Sequence, residues 1–217
     1  MENKYRILRR SANWKNLYFY QKAETLYRLT FVFCERFMDK YGDRTVDQMV
    51  QAARSGKQNI VEGISDGVSS VKMEINLLNV ARSSLQELRE DYKDYLATHD
   101  LPLWEKGHGR REQLLQFCRT HNDVEDYVPL FKKANDEELS NLAISLCRQV
   151  DVMLTAWLKK LEEVFKEEGG LSERMTAVRL GRRQTQNEII EAQAHEIEML
   201  KRRIAQLEAE NKRLSNK

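Results

Sequence analysis

Apolar side chains in this chain return every three or four residues, segment after segment. That spacing hides them only when they line one side of a helix. Phe19, Ala23, Leu26, Thr30, Phe33 and Phe37 form the first stripe and predict a helix over Trp14 to Lys40. Tyr20, Tyr27, Phe31 and Cys34 widen it, so this helix should be covered on more than one side. Val46, Met49, Val50, Ala53, Gly56, Ile60 and Ile64 form the second stripe, opened by Thr45-Val46-Asp47-Gln48, which reads as a capping box. After Asp66-Gly67 and a Ser69-Ser70 cap, the third stripe is Ile75, Leu78, Ala81, Leu85, Leu88, Tyr92 and Tyr95, over Val71 to Leu96. The fourth is Leu139, Leu142, Leu146, Val150, Met153, Trp157, Leu161 and Val164, capped by Asn135-Asp136-Glu137-Glu138 and ended by Gly169-Gly170.

Four amphipathic segments of this length predict an all-α chain whose residues 14–168 form an antiparallel four-helix bundle. Residues 97–135 interrupt the pattern before the fourth helix and read as an irregular insert, with short helical stretches near Arg111–Arg119 and Val124–Lys133. The breakers agree: Pro102, Gly107, Gly109 and Pro129 all fall in the insert, and only Gly56 and Gly63 lie inside a stripe. The small-residue run Ala52, Ala53, Ser55 and Gly56 points to close helix approach, which offsets the roughly 1 kcal/mol a helical glycine costs relative to alanine.

The last segment changes from bundle spacing to a heptad. Ile190, Ile197, Ile204 and Asn211 occupy one seam position (a), and Gln193, Leu200, Leu207 and Leu214 the other (d). Isoleucine at a with leucine at d favours a parallel dimer, and a single asparagine at a fixes register and strand number. In such a pair Glu196 faces Lys201 of the second copy and Arg203 faces Glu208, both attractive. The predicted order is therefore a basic arm at 1–13, the bundle at 14–168, a basic linker at 169–183 with a short helix over Leu171–Leu180, and a coiled-coil helix at 184–217 after Gly181. The alternative for the tail is an amphipathic helix folded back on the bundle.

No window of 18 apolar residues occurs, so no membrane span is expected. The first residues lack the apolar core of a secretory signal. Cys34, Cys118 and Cys147 are odd in number and far apart, which argues against a disulfide framework and points to the reducing cytoplasm.

Nothing in the motifs calls for catalysis or a cofactor. There is no glycine-rich phosphate loop, no His-Glu-x-x-His and no nucleophile elbow. Cys118 and His121, with His99 and His108 upstream, lack the paired spacing of a structural zinc site. Asp123, Glu125 and Asp126 beside His121 read as acids favoured at a helix N-terminus. Asn59 and Glu62 read as structural, with Asn59 bonded to the neighbouring helix. Trp14, Trp104 and Trp157 do not form a stacking platform by position alone.

Two stretches carry a family likeness. They are Gln48 to Gly63, with Asn59-Ile60-Val61-Glu62-Gly63, and Leu77 to Leu88, with Ala81-Arg82-Ser83-Ser84-Leu85-Gln86-Glu87-Leu88. Over residues 14–96 the chain resembles the four-helix-bundle proteins encoded in intervening sequences of bacterial large-subunit ribosomal RNA genes. The piece from Glu168 to Thr176 is similar to the C-terminal suffix of a longer subgroup. The resemblance implies a ring-shaped homo-pentamer and a kinship with the accessory protein of diversity-generating retroelements, which binds a reverse transcriptase and nucleic acid. The insert, the suffix and the heptad tail depart from that pattern, and a two-stranded tail conflicts with five-fold symmetry.

Charge supplies the candidate site. Residues 1–15 carry five basic side chains against one acidic, and residues 172–183 carry four against one, while the remainder is mildly acidic. Arg6, Arg9 and Arg10 in the arm, with Arg174, Arg179, Arg182 and Arg183 in the linker, are candidates for sequence-independent contacts to the phosphates of RNA or DNA. The expectation is a non-enzymatic homo-oligomeric scaffold that binds nucleic acid or a nucleic-acid-processing enzyme such as a reverse transcriptase. The competing expectation is a protein–protein adaptor, oligomerised through Ile190, Ile197, Leu200, Ile204, Leu207, Asn211 and Leu214, in which the arginines only solubilise.

Overall fold

A computed structural model describes residues 7–9, 12–39, 42 and 44–215. These residues are all-helical, with no strand among them. Seven helices follow in order: α1 (Tyr18–Phe37), α2 (Arg44–Asp66), α3 (Val71–Thr98), α4 (Gly109–Thr120), α5 (Val124–Lys133), α6 (Asp136–Glu168) and α7 (Leu171–Ser215). Among the described residues a 3-10 turn, Trp14–Asn16, precedes α1. The chain separates into two compact units, Leu8–Gly170 and one that holds α7.

Local signals set the start of α3 and both ends of α6. The Ser70 hydroxyl accepts from the Met73 N–H to start α3. Asn135 and Glu138 form a full capping box at α6, each side chain accepting the other's backbone N–H. Gly169 ends α6 at φ +67°, a conformation that side-chain-bearing residues rarely adopt. α2 begins at Arg44, which puts Thr45 inside the first turn instead of at the expected cap.

In the Leu8–Gly170 unit, α1 packs on α2 and α6, and α3 packs on the same two helices from the other side. Along α3, Glu74, Arg82 and Tyr95 meet Trp157, Asp151 and Asp136 of α6, so these two helices run in opposite directions. Leu26, Leu29 and Phe33 of α1, Met49 and Ile60 of α2, Leu78, Leu88 and Tyr92 of α3, and Leu139, Leu146, Val150 and Leu154 of α6 are fully buried between them. Two stripes turn by one residue from the reading above. Leu154 and Leu158 are hidden while Met153 and Trp157 are half-buried, and Glu74 is hidden while Ile75 is half-buried.

The small residues of α2 face α3. Ser55 and Ser84 share a hydroxyl–hydroxyl hydrogen bond of 3.0 Å across that contact. Asn59 bonds the Ser55 carbonyl at 2.9 Å, so it acts within its own helix and not across to a neighbour as expected, and Glu62 is exposed. A Cβ on Gly56 would lie 2.5 Å from the Leu85 Cδ2 atom and 2.6 Å from its Cγ. Leu85 is buried and cannot swing away. Gly56→Ala should therefore destabilise by roughly 1–2 kcal/mol in urea unfolding, because the overpacking outweighs the roughly 1 kcal/mol of helix propensity gained. A stabilised variant would show that α2 and α3 separate easily.

The segment 97–135 corrects the expectation of an irregular insert. It holds α4 and α5, close to the two short stretches read from sequence, and their side chains enter the core: Cys118, Tyr127 and Phe131 are buried. Pro129 sits inside α5 instead of ending it. Two cations of α1 fasten these helices. The buried Lys22 ammonium donates to the Cys118 carbonyl, and to the His121 carbonyl at 3.1 Å, at the end of α4. The Arg36 guanidinium donates to the Phe131 carbonyl, and to the Ala134 carbonyl at 3.0 Å, at the end of α5. Each thus satisfies carbonyls that a helix C-terminus leaves without partners, where positive charge is also favoured. Burial lowers the pKa of Lys22. On the α6 side, buried Asn141 accepts from the Trp104 N–H at 2.7 Å and donates to the Pro102 carbonyl at 3.0 Å.

α7 corrects the boundary at 183. It is one helix of 45 residues that passes through Gly181 without a break, so the expected linker and the expected coiled-coil helix are a single rod of about 68 Å.

Candidate nucleic-acid interface

The arm arginines separate. Arg6 and Arg10 lie outside the described residues. Arg9 is described, and its charge is already engaged: its Nη1 lies 3.1 Å from the Glu74 Oε2 atom, and its backbone N–H donates to the Val68 carbonyl at 3.0 Å. The other Glu74 oxygen accepts from the Trp157 indole N–H at 2.9 Å. Arg9 is therefore engaged by Glu74 of α3 and is not simply available to a phosphate.

Glu74 was not singled out by sequence, although it sits in register with Val71, Leu78 and Ala81 on the buried side of α3. Burial raises its pKa, and the Trp157 and Arg9 contacts oppose that rise only in part. A carboxyl whose pKa is higher folded than unfolded takes up its proton earlier in the folded state. Its stabilising contribution is complete below the ordinary carboxyl range and is lost as pH rises through the folded value. Glu74→Gln should therefore flatten the pH dependence of the urea midpoint between about pH 4 and neutrality relative to wild type. Identical pH profiles would show that Glu74 does not titrate in this window.

The four arginines near the start of α7 differ in availability. Arg174 is half-buried, with Nε and Nη2 shielded from solvent. Arg179, Arg182 and Arg183 are exposed and make no ion pair among the described residues. Beyond them the heptad seam is open: Ile190, Ile197, Leu200 and Ile204 are each more than half exposed, and Leu207 and Leu214 are exposed as well. Over about 36 Å of helix, from Ile190 to Leu214, no described residue of α7 is buried.

The remaining candidates are structural in their contacts. His99, His108 and His121 stack on Tyr95, Trp104 and Phe117 with centroids 3.9, 5.2 and 4.2 Å apart, each histidine four residues after its aromatic partner. Among the described residues no group of His, Cys, Asp or Glu is placed to hold a metal ion. Asp123 precedes α5, and Glu125 and Asp126 occupy its first turn. The three cysteines are buried; burial pushes the Cys118 thiol up to about 11 and Cys147 to about 12, far from the thiolate a nucleophile needs. A groove of about 940 Å³ between α2 and α3 includes Asp47, Glu87 and Asp91 against one arginine, Arg44, the wrong sign for phosphate. Among the described residues no helix is long and apolar enough to cross a membrane.

No protein-family model, curated protein or solved structure matches the chain.

Proposed function

We propose that this chain is a non-enzymatic homo-oligomeric scaffold of the cytoplasm that engages nucleic acid or a nucleic-acid-processing enzyme such as a reverse transcriptase. In this reading α1, α2, α3 and α6 form an antiparallel four-helix bundle of the ribosomal-RNA intervening-sequence kind, and α7 pairs with a second copy. The observation that carries it is the exposed seam from Ile190 to Leu214. Single exposed apolar residues are ordinary, but six at heptad spacing on one rod are not, and their burial would drive association. The occupant that fits is another α7, because Glu196 then meets Lys201 and Arg203 meets Glu208, and Asn211 meets its counterpart. The exposed Arg179, Arg182 and Arg183 support the nucleic-acid part.

Mass in solution tests the assembly. Full-length protein should sediment as a dimer, or as a higher oligomer if the ring implied by resemblance also forms, and removal of 171–217 should lower the number of copies per particle. An unchanged number of copies would place self-association in the bundle alone, and a full-length monomer at high concentration would end the proposal. The second reading, an adaptor without nucleic acid, is favoured by Arg9, whose charge Glu74 holds. It predicts no retention on a phosphate matrix at physiological salt.

A further inference from the structure

We infer that the two α7 helices of the proposed dimer part at Arg179, Arg182 and Arg183 and hold a nucleic-acid duplex by its phosphates in the opening. The inference rests on the parallel pairing proposed above. Because α7 is continuous from Leu171, the heptad frame that puts Ile190 at position a runs back without a break through Gly181. It places Arg183 at a, Arg179 at d and Arg182 at the flanking position g. The arginines therefore do not decorate the outside of the rod. They occupy the same face as the isoleucines and leucines, one to two heptads before them.

Two consequences follow for a parallel pair. From Ile190 onward the seam is apolar except at Gln193 and Asn211, and it draws the helices together. Before it, six guanidiniums face one another across the axis. From Thr176 to Ile189 no carboxylate occupies a, d, e or g to neutralise them, since Glu188, the one acid of that stretch, falls at f. Like charges at seam positions force the helices apart, and the gap they open is complementary to a polyanion.

Three features favour a duplex as that polyanion. Residues 171–217 contain no Phe, Tyr or Trp, so α7 offers no surface on which unpaired bases stack. Arginine forks suit phosphate oxygens and carry no base readout when they contact the backbone alone. The two-fold axis of a parallel dimer runs through the opening, and a duplex has two-fold axes of its own, so both strands can be met equivalently.

The test uses full-length protein and a labelled mixed-sequence duplex of about 20 base pairs, two helical turns, in RNA and DNA forms, beside one of its single strands. Anisotropy should show the duplex preferred. Six phosphate contacts imply a loss of roughly a thousandfold in affinity between about 50 and 200 mM salt. Arg179→Leu with Arg183→Ile continues the apolar seam; it should tighten the dimer and weaken duplex binding by at least about a hundredfold at low salt. Arg202→Gln with Arg213→Gln removes the same charge from positions f and c and should change binding less than about threefold. The inference is overturned if the seam variant binds as wild type does, if both variants lose binding equally, if the single strand is preferred, or if anionic phosphatidylserine vesicles are bound and the duplex is not. Sedimentation in the same buffers separates the two levels. A dimer that ignores the duplex removes only this inference, whereas a wild-type monomer removes the pairing on which it stands.

Discussion

Replacing Ile197 and Leu200 together with aspartate should turn the protein into a monomer at micromolar concentration. In the proposed dimer both side chains become buried, a buried Ile or Leu is worth about 2–5 kcal/mol when truncated, and the pair occurs in both copies. Even the low end of that range weakens association by more than a thousandfold, at tenfold per 1.4 kcal/mol. The introduced carboxylates add repulsion at the seam. Sedimentation velocity reads the result, and circular dichroism guards against a trivial cause, because Leu8–Gly170 is a unit of its own and should keep its helical signal and its thermal transition. An oligomer that survives the double substitution would mean that the copies meet elsewhere.

Phe33→Ala should give the largest stability loss within the helical core. Phe33 is fully buried and sits in an aromatic cluster, with ring centroids 5.4 Å from Phe37, 5.0 Å from Tyr92 and 4.8 Å from Tyr95, the last two edge to face. Tyr92 in turn donates its hydroxyl proton to the Thr30 hydroxyl at 3.0 Å. A large-to-small change at such a site costs about 3–5 kcal/mol against a total of about 5–15 kcal/mol for a typical domain. With a denaturant slope of about 2 kcal/mol per molar urea, the midpoint should fall by about 2 M. Val152→Ala, at a residue 68% exposed on α6, is the control and should stay within about 0.5 kcal/mol of wild type. Equal effects at both positions would refute the placement of the core.

What could be read from sequence was what short spacings decide. The caps at Ser70 and Asn135 depend on partners three residues away, and both form. The stripes of α1, α2, α3 and α6 depend on helical period alone, and most of their residues are buried; Phe37, Val50 and Val164 are half-buried, as are Ile75, Met153 and Trp157 at the one-residue turns. The two short stretches in the insert were legible for the same reason. Their docking was not, because it is settled by distant groups: a lysine on α1 became a buried residue through carbonyls 96 and 99 positions along the chain. Nothing local distinguishes Lys22 from a solvated lysine, except that it shares the face of Phe19 and Leu26. The ion pair of Arg9 was out of reach in the same way, since Glu74 lies 65 residues further along. Gly181 misled in the other direction. A lone glycine costs about 1 kcal/mol in a helix, which a long rod tolerates, so it marks a boundary only when other signals agree. With that boundary gone, the heptad frame of the tail extends back through Arg183 and Arg179.

The anchoring of α4 and α5 by Lys22 and Arg36 bears on how this chain could be shortened or grafted. A version trimmed of residues 97–135 to leave a minimal four-rod body would strip the ammonium of Lys22 of its two acceptors while leaving its stem among core side chains. Water would take the place of those acceptors, but the core side chains that Cys118, Tyr127 and Phe131 pack against would meet it too, a far heavier burden than the exposed ends of a cut loop. Any such trimming therefore needs polar side chains on the core face that this segment covers, while Lys22 itself can stay.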